Sequence, residues 1–549
     1  MWYRHWLPGG WGSNDLDSRT DARRITDGDG LAREQLLSKG RSQATRQEAR
    51  AIGFCCQAQP ALVFCAVFNP KIWEEWDMSE EPKHPAPAVD SASPQPQLHR
   101  KLGILNATSI NMSNMIGIGP FITVPPILAT LGGPQALIAW FVGAIVAIAD
   151  GLVVSELGAA LPSSGGAYVF LRDSYGRERW GKLMAWMFIW QFLFSGTLEI
   201  ASGSIGMVQY LSFLWKGLAL HPWRIKFLAA GISALVMFSL YRKIQDIAKL
   251  MLILWITTLA TTGWVIVSGL AKMNPRLALD FPAGAFELNW AFLVGLGNGT
   301  ILVIYNYLGY NQVCYLGGEV KHPERTIPYA VILSILGVTV IDFLLSFSFV
   351  CVVPWRVMVK EGSVAYNAVA SVFMRQIYGE WAAIAISVMI LFTAFASVFA
   401  LMLGYSRVPY AAALDGAFFR WFGVLHPKGE FPHRSLVLVG ALCIIASFFG
   451  LVQIITALIL ARILVVFCGQ IIGLFILRKY RPEVPRPFKM WLYPAPAVLA
   501  LVGWLYAFAS PAGQPGGWKF MLYAFGTIAA GLIAYFILAK QKTEWPFSA

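Results

Sequence analysis

A break in the first long apolar stretch constrains the fold more than any other feature of this sequence. Residues 114–126 read Asn-Met-Ile-Gly-Ile-Gly-Pro-Phe-Ile-Thr-Val-Pro-Pro. Glycine and proline weaken a helix, and lipid offers no water to the backbone groups that a broken helix exposes. A break at membrane depth is therefore tolerated only where it is buried in protein or lines a cavity. Two half-helix ends that meet there attract anions at one end and cations at the other.

The composition indicates a polytopic membrane protein. Of the 549 residues, 57% are hydrophobic and only 13% are charged, whereas soluble proteins carry about 25% charged residues. The net charge of +13 does not indicate a nucleic-acid partner, because the basic residues lie in short loops between apolar runs. The environment that the sequence predicts is a lipid bilayer.

The apolar runs predict an all-α chain with twelve transmembrane helices. A helix needs about 20 apolar residues to cross the hydrocarbon core. The predicted spans are 103–131, 134–160, 180–212, 224–241, 245–271, 288–316, 327–353, 379–408, 434–450, 452–478, 492–511 and 517–538.

Basic residues in the connecting loops predict the orientation. If the amino terminus is inside, the inner loops carry clearly more Lys and Arg than the outer ones, as in segments 172–182 and 478–489. Cytoplasmic loops show such an excess. We therefore expect both termini in the cytoplasm and a location in the plasma (inner) membrane.

Residues 1–98 differ from the rest of the chain. They are polar, rich in Arg, Asp, Ser and Pro, and lack a sustained helical period. We expect them to be disordered or to extend beyond the natural start, with translation beginning at Met78. The membrane domain then covers residues 99–542, and 543–549 form a carboxyl-terminal tail.

A second interruption lies in the sixth predicted span. Gly295, Gly297 and Gly299 precede the sequence Tyr-Asn-Tyr-Leu-Gly-Tyr-Asn at 305–311. A single Gly-x-Gly in a membrane helix more often serves close packing than ligand binding. Two breaks five spans apart instead indicate two five-helix repeats of opposite orientation with a binding site between them. The repeat is inferred from the breaks alone, since the two halves share no clear sequence identity.

Four blocks of sequence resemble the amino acid–polyamine–organocation (APC) superfamily over residues 103–490. They occur in the family's order and at the matching spans, so their combination is specific although no single block is. The blocks are Gly117-Ile118-Gly119 with Gly132-Gly133, Glu156-Leu157 with residues 162–168, residues 317–323 with Pro328, and Arg486-Pro487-Phe488.

The resemblance implies a fold of two inverted five-helix repeats with helices 1 and 6 broken. It also implies transport of amino acids or related amines by alternating access. Backbone N–H groups of Ile118 and Gly119 would hold a carboxylate, with Gly117 making the turn, and a helix amino terminus favours such an anion. Carbonyls ending the first half-helices would hold an ammonium group. The matching positions are Met115 and Ile116 in span 1, and Tyr305 and Leu308 in span 6, beside Gly309 and Asn311.

Three positions depart from the family pattern. Ile118 replaces the usual serine between the glycines, which leaves a cradle made of backbone alone. Pro120 lacks an N–H, but the first turn of a helix tolerates proline. Asn311 stands where arginine–agmatine antiporters carry a glutamate, and because Asn cannot titrate we expect no proton sensing there.

Several residues within the spans are candidates for coupling or gating. Glu199 in span 3 either meets a cationic group, carries a proton, or is a structural residue paired across helices. Lys249, about one turn into span 5, either replaces the cation of sodium-coupled relatives or extends to the cytoplasmic interface. Tyr305, Tyr307 and Tyr310 crowd the second break, where they either shape a pocket or simply pack.

Asp150, Glu156, Asp342 and Arg462 are further charged residues within predicted spans. Asp150 and Glu156 are near the inner end of span 2, where we expect Lys and Arg of adjacent loops to pair with them. Asp342 in span 7 and Arg462 in span 10 either line a cavity or form helix–helix pairs.

These observations together predict a secondary active permease for amino acids, coupled to protons or working as an exchanger. The sequence holds no Gly-x-x-x-x-Gly-Lys-Ser/Thr loop for ATP and no clustered metal ligands or nucleophile–base pair, so we expect no cofactor, no metal and no enzyme activity.

A polyamine or organic amine transporter is the alternative within transport, although a polyamine has no carboxylate for the first break. A ligand-sensing membrane protein of the same fold is the alternative from another class. Some animal exchangers of the family that the sequence resembles are disulfide-linked to an accessory chain through a cysteine outside spans 3 and 4. Residues 213–223 hold no cysteine, so the resemblance implies no such partner here.

Overall fold

The computed structural model describes residues 100, 102–163, 165–219, 221–241, 247–427, 431–542 and 545–547. The predicted extension 1–98 and the predicted start at Met78 therefore lie outside the described residues, as does most of the predicted tail 543–549.

The described part of the chain is helical, and its only strand-like pairing is an isolated bridge between Leu102 and Val320. Helices of eight or more residues that are not of the 3₁₀ or π type are labelled here in chain order. They are α1 (Ile104–Met115), α2 (Gly119–Leu131), α3 (Ile138–Ala160), α4 (Ala167–Ser174), α5 (Trp180–Leu214), α6 (Pro222–Tyr241), α7 (Ile247–Ala271), α8 (Trp290–Tyr307), α9 (Pro323–Val352), α10 (Val369–Tyr378), α11 (Glu380–Tyr405), α12 (Arg407–Leu414), α13 (His433–Ala446), α14 (Leu451–Arg462), α15 (Cys468–Tyr480), α16 (Ala495–Ala509) and α17 (Trp518–Gln541).

Ten helices within the described ranges, some with an adjoining short turn, are long and apolar enough to cross a membrane. The bent pair α1 and α2 would make an eleventh. The protein is thus an integral membrane protein. The predicted ninth span corresponds to α13, which is apolar but only 14 residues long. The count of twelve spans and the inverted repeat are not confirmed and remain predictions.

The longest helix, α5, lies at the centre of the bundle. It packs against α11, α14, α6 and α13, and most of its 35 residues are buried. The long helix α9 packs against α3, α1 and α7. These two helices therefore contact most of the elements that surround the first break.

Two prolines inside α2 leave backbone carbonyls without their usual helical donors. Pro125 has no N–H to give to the carbonyl of Phe121, four residues earlier. The hydroxyl of Tyr210 in α5 donates to that carbonyl at 2.9 Å, and Tyr210 is fully buried. A side chain of span 3 thus satisfies the backbone of the second half of span 1.

Span 10 is not a uniform α-helix. Between α14 and α15 the residues Ile463–Phe467 form a π-helical turn, directly after the buried Arg462. Such turns are rare and occur frequently at functional sites. The π-helical turn could not be predicted from the sequence, because its residues are ordinary apolar helix residues.

Candidate functional site

The first predicted break is present at the expected position. Helix α1 ends at Met115, α2 begins at Gly119, and the two helices are inclined by 57°. Ile116 is extended, with φ −83° and ψ 103°, so the helical ladder stops there. Gly117, Gly119 and Pro120 weaken the helix at this point.

The break leaves backbone donors free at the start of α2. Among the described residues, the N–H groups of Gly117 and Ile118 donate to no protein acceptor, whereas that of Ile116 still bonds to the Met112 carbonyl at 2.8 Å. The Ile118 side chain is buried against Gly206 of α5, so it points away from solvent. Unpaired N–H groups at a helix amino terminus form a site that can accept an anion.

The second predicted break also lies where the sequence placed it. Helix α8 ends at Tyr307, Leu308 has ψ 126°, and Gly309 has φ +116°, a conformation that favours glycine. A Cβ at Gly309 would lie 2.7 Å from Asn114 Nδ2, so α1 also approaches too closely for a larger residue. The chain resumes as a 3₁₀ helix at Gln312–Glu319.

Asn111 joins the two broken spans. From α1 its Nδ2 donates to the Tyr310 carbonyl at 2.6 Å, and its Oδ1 accepts from the Val313 N–H at 2.8 Å. Both backbone groups lie in the part of span 6 that is not α-helical, so they do not form the regular hydrogen bonds of an α-helix. The fully buried amide of Asn111 therefore stabilises the unwound segment, a role that the sequence analysis missed. A polar residue buried in an apolar helix was the available signal.

Spans 6 and 8 close around the first break. A Cβ at Gly119 would overlap the amide oxygen of Asn306 and lie 3.4 Å from the Tyr305 ring. A Cβ at Gly117 would lie 2.7 Å from the Ser397 hydroxyl of α11. The amide oxygen of Asn306 is buried and has no hydrogen-bond partner in the described structure. It is therefore an acceptor at the mouth of α2 that a bound ammonium or amide could use.

The three tyrosines of the second break face different neighbours. The Tyr305 hydroxyl is 2.7 Å from that of Ser202 in α5, close to Gly119. Tyr307 lies between α3 and α9, where its hydroxyl is 2.9 Å from Thr339 Oγ1. The Tyr310 hydroxyl donates to Asp150. Only Tyr305 of the three is thus placed against the first break.

Glu199 forms a buried ion pair with Arg462. The Arg462 Nη2 donates to Glu199 Oε2 at 2.6 Å, and the two side chains are only 10% and 9% exposed. Tyr405 of α11 donates to the same oxygen at 3.0 Å, and Arg462 Nε donates to Ser195 at 3.0 Å. Of the alternatives open for both residues, the structure shows the pairing across helices. The ion pair and Tyr405 together join α5, α11 and α14. Glu199 lies one turn before Ser202 on α5, and the Ser202 hydroxyl is bonded to Tyr305.

The partners of the two span-2 carboxylates differ. Glu156 accepts from Arg478 Nε at 2.8 Å and Nη2 at 2.6 Å, which confirms pairing with a basic residue. Asp150 accepts instead from the hydroxyl of Tyr310 and from the indole of Trp504. The expected basic partner of Asp150 was wrong, because neutral donors from spans 6 and 11 fill its surroundings.

The remaining predicted residues are less informative. Met115 and Leu308 are buried at the ends of their half-helices, and Asn311 is half-buried. Lys249 lies in the first turn of α7, and its side chain is outside the described structure.

Comparison with known proteins gives the family. The model of the amino acid permease family matches residues 102–533. The chain belongs to this family, which is part of the APC superfamily. The match begins directly before α1 and includes both breaks.

Three relatives of this permease are transporters. The serine/threonine exchanger SteT of Bacillus subtilis is 26% identical over 75% of this chain and 91% of its own length. An uncharacterized transporter of Mycobacterium tuberculosis is 30% identical over 63% of this chain and 73% of its own. The branched-chain amino acid permease BcaP of Bacillus subtilis is 21% identical over 83% and 96%.

Proposed function

We propose that this permease is a secondary active transporter of amino acids that binds its substrate at the two breaks. The substrate carboxylate accepts from the N–H groups of Gly117, Ile118 and Gly119. Its ammonium group is held by carbonyls of Met115 and Ile116, and of Tyr305 and Leu308 across the site. Twelve spans arranged as two inverted repeats then move around this site by alternating access, with both termini in the cytoplasm.

The free donors at the start of α2 are the observation that carries this proposal. The N–H groups of Gly117 and Ile118 have no protein acceptor in the described structure, although the residues around them are buried. Unpaired backbone groups are expensive in a membrane interior, so a ligand that satisfies them is favoured. A carboxylate fits both their geometry and the positive end of the α2 dipole.

The state of Glu199 argues against a polyamine substrate. A polyamine needs free acidic groups near its ammonium groups, because it has no carboxylate of its own. The negative charge of Glu199 is already balanced by its ion pair with Arg462, and its carboxylate accepts a further hydrogen bond from Tyr405. Buried charges of this kind are paired, and breaking the pair would leave Arg462 uncompensated. Amino acids are therefore the favoured substrates.

Competition for uptake tests the substrate class. The full chain is reconstituted in liposomes loaded with unlabelled serine, and entry of labelled serine, leucine and arginine is measured in exchange. Relatives that act on serine and threonine and on branched-chain amino acids make neutral amino acids the first choice. We expect amino acids to compete, and their methyl esters, putrescine and spermidine not to compete. Competition by spermidine with none by amino acids would overturn the proposal.

A deletion tests the sensing alternative. Removal of residues 1–77 leaves every described element in place, and a carrier should keep its exchange rate after the cut. Binding of an amino acid without any exchange, in both the full chain and the shortened one, would favour a sensor.

A further inference from the structure

Asp342 is an ionisable residue of α9 that the substrate site does not use. It is fully buried, and among the described residues neither of its carboxylate oxygens has a hydrogen-bond partner. Asp150, Glu156 and Glu199, by contrast, each accept hydrogen bonds from other spans. Asp342 is thus exceptional among the carboxylates inside the bundle.

An unpaired carboxylate in such a place is strongly disfavoured. Transfer of an isolated ionised carboxylate from water to an apolar interior carries a large solvation penalty, and the group neutralises itself instead. The conformation described here is therefore compatible with a protonated Asp342. A conformation that exposes Asp342 to water would favour the ionised form. Its protonation is in this way linked to the conformation of the permease.

Other hydroxyls lie near Asp342 without partners of their own. The buried Ser346 hydroxyl is one turn further along α9 and also lacks a hydrogen bond in the described structure. The buried Thr262 hydroxyl of α7 has none either. Helices α7 and α9 pack side by side, and a Cβ at Gly269 of α7 would overlap Ser348 of α9. Thr262 and Asp342 each lie about two turns before these contact positions, so they are at similar levels. Hydroxyls of this kind can accept a hydrogen bond from a protonated carboxyl.

Few charges reach this position. The phenol of Tyr307 is an ionisable group close to Asp342, since its hydroxyl bonds to Thr339, one turn before Asp342. On α3, Asp150 directly precedes Gly151, which packs on Ile335, two turns before Asp342 on α9. The Asp150 carboxylate accepts hydrogen bonds from Tyr310 and Trp504. The elements packed on α9, and α9 itself, carry further ionisable residues away from the level of Asp342: Glu156, Lys249, Arg276, Cys314, Tyr315, Glu319, Glu324, Arg325, Tyr329, Cys351, Arg375 and Tyr378.

Tyr307 connects Asp342 with the second break. Its hydroxyl is 2.9 Å from Thr339 Oγ1, one turn before Asp342 on α9, and 3.2 Å from the Trp140 carbonyl. It is also the last residue of α8, directly before the turn at Leu308. A movement of the half-helix end that opens the substrate site would displace this side chain from the face of α9 and change access to Asp342.

We propose that Asp342 is the proton-binding residue that couples amino acid transport to a proton gradient. The proton binds when Asp342 faces water on the side of high proton concentration, crosses while the carboxyl is sealed in the bundle, and leaves on the other side. This proposal rests on the proposed transport function and deepens it, since it selects proton coupling over simple exchange.

Liposomes with the wild-type chain and the variants Asp342→Asn, Asp342→Glu and Glu287→Gln test this proposal. Glu287 lies in an exposed loop before α8 and supplies the matched loss of one carboxylate. Two rates are compared, namely accumulation driven by an imposed pH gradient and exchange without a gradient. We expect Asp342→Asn to reduce gradient-driven accumulation at least about tenfold, while exchange without a gradient stays within about threefold of the wild-type rate. A difference of this size between the two effects is in the usual range of coupling free energies. Glu287→Gln should leave both rates unchanged.

Infrared spectroscopy gives a readout that does not depend on transport. The wild-type protein should show the carbonyl stretch of a protonated carboxylic acid, which Asp342→Asn removes and Asp342→Glu shifts. If Asp342→Asn does not fold, the frequency shift of the carbonyl band in Asp342→Glu shows whether the band belongs to residue 342. Unchanged gradient-driven accumulation in folded Asp342→Asn, or the absence of the carbonyl band, would overturn the proposal. Accumulation driven only by sodium would also overturn it. Failure of the wild type to move any amino acid, with the band present, would instead count against the transport function.

Discussion

The Asn111 amide lies 2.6 Å from the backbone carbonyl of Tyr310, so that a side chain of the first broken span holds the unwound backbone of the sixth. The same amide accepts from the Val313 N–H through its oxygen. One residue thus supplies both a donor and an acceptor to the segment that follows the second break. Hydrogen bonds of one side chain thus connect the two broken spans directly.

Replacement of Asn111 by alanine should destabilise the protein and impair exchange. The Tyr310 carbonyl and the Val313 N–H would both lose their partner in a buried place, and each unsatisfied group costs about 1–3 kcal/mol. Thermal unfolding in detergent and exchange in liposomes measure the two effects. Asn106→Ala, an exposed asparagine of the same helix, should change neither. An Asn111→Ala protein as stable as the wild type would contradict the bridging role.

Removal of either member of the Glu199–Arg462 pair should be more harmful than removal of both. Glu199→Gln leaves Arg462 buried without its counter-charge, which typically costs about 3–5 kcal/mol. The double replacement Glu199→Met with Arg462→Met removes both charges and should recover much of that stability. The unfolding temperatures of the wild type, of the single variants Glu199→Met and Arg462→Met, and of the double variant form the cycle. Glu324→Gln, at the surface near His322, is the control, with an effect below about 0.5 kcal/mol.

The functional role of Glu199 can be read from the same proteins. If Glu199 contributes only structure, the double variant should exchange amino acids with an unchanged pH profile. A loss of exchange in a stable double variant would instead indicate that the ion pair takes part in transport.

Addition of a methyl group at Gly119 should weaken substrate binding. A Cβ there would displace the Asn306 amide and press on Tyr305, and overpacking of this kind costs about 1–3 kcal/mol, or about tenfold in affinity. The half-saturating concentration for exchange measures the effect. Gly263→Ala in α7 is the control, because a Cβ at Gly263 meets nothing within 4 Å. Equal affinities for the two variants would contradict a site at the first break.

Loss of the Tyr210 hydroxyl should destabilise the second half of span 1. Tyr210→Phe leaves the Phe121 carbonyl, already deprived of a helical donor by Pro125, without any hydrogen bond. The expected cost is about 1–3 kcal/mol in the free energy of unfolding. Tyr480→Phe, at the exposed end of α15, should have no effect. In a variant without proline at position 125, Tyr210→Phe should cost less unfolding free energy, since the helix could then supply its own N–H donor to the Phe121 carbonyl.

Asp173 in the loop helix α4 should make stability depend on pH. Burial alone raises the pKa of its carboxyl, but hydrogen bonds from Arg177 and Arg172 outweigh burial and lower it. A lowered pKa in the folded state means that the carboxylate stabilises the fold above the pKa of the unfolded chain, about 4. Asp173→Asn should therefore lower the unfolding temperature at neutral pH. The difference from the wild type should vanish as the pH falls through the folded-state pKa, and a constant difference would contradict this assignment.

The sequence by itself determined the membrane helices, the family and the positions of both breaks. These features depend on local properties, namely the length of apolar runs and the presence of glycine and proline at 117–120 and 309, and the chain carries them wherever it folds. Only the tertiary structure decided which partner each polar residue has. It paired Glu199 with Arg462 and gave Asp150 neutral donors. It also bonded Asn111 to the Tyr310 carbonyl, and it left Asp342 without a hydrogen-bond partner among the described residues. These outcomes depend on the rotation and depth of helices that are far apart in the sequence, and the spacing of residues along one helix does not contain that information.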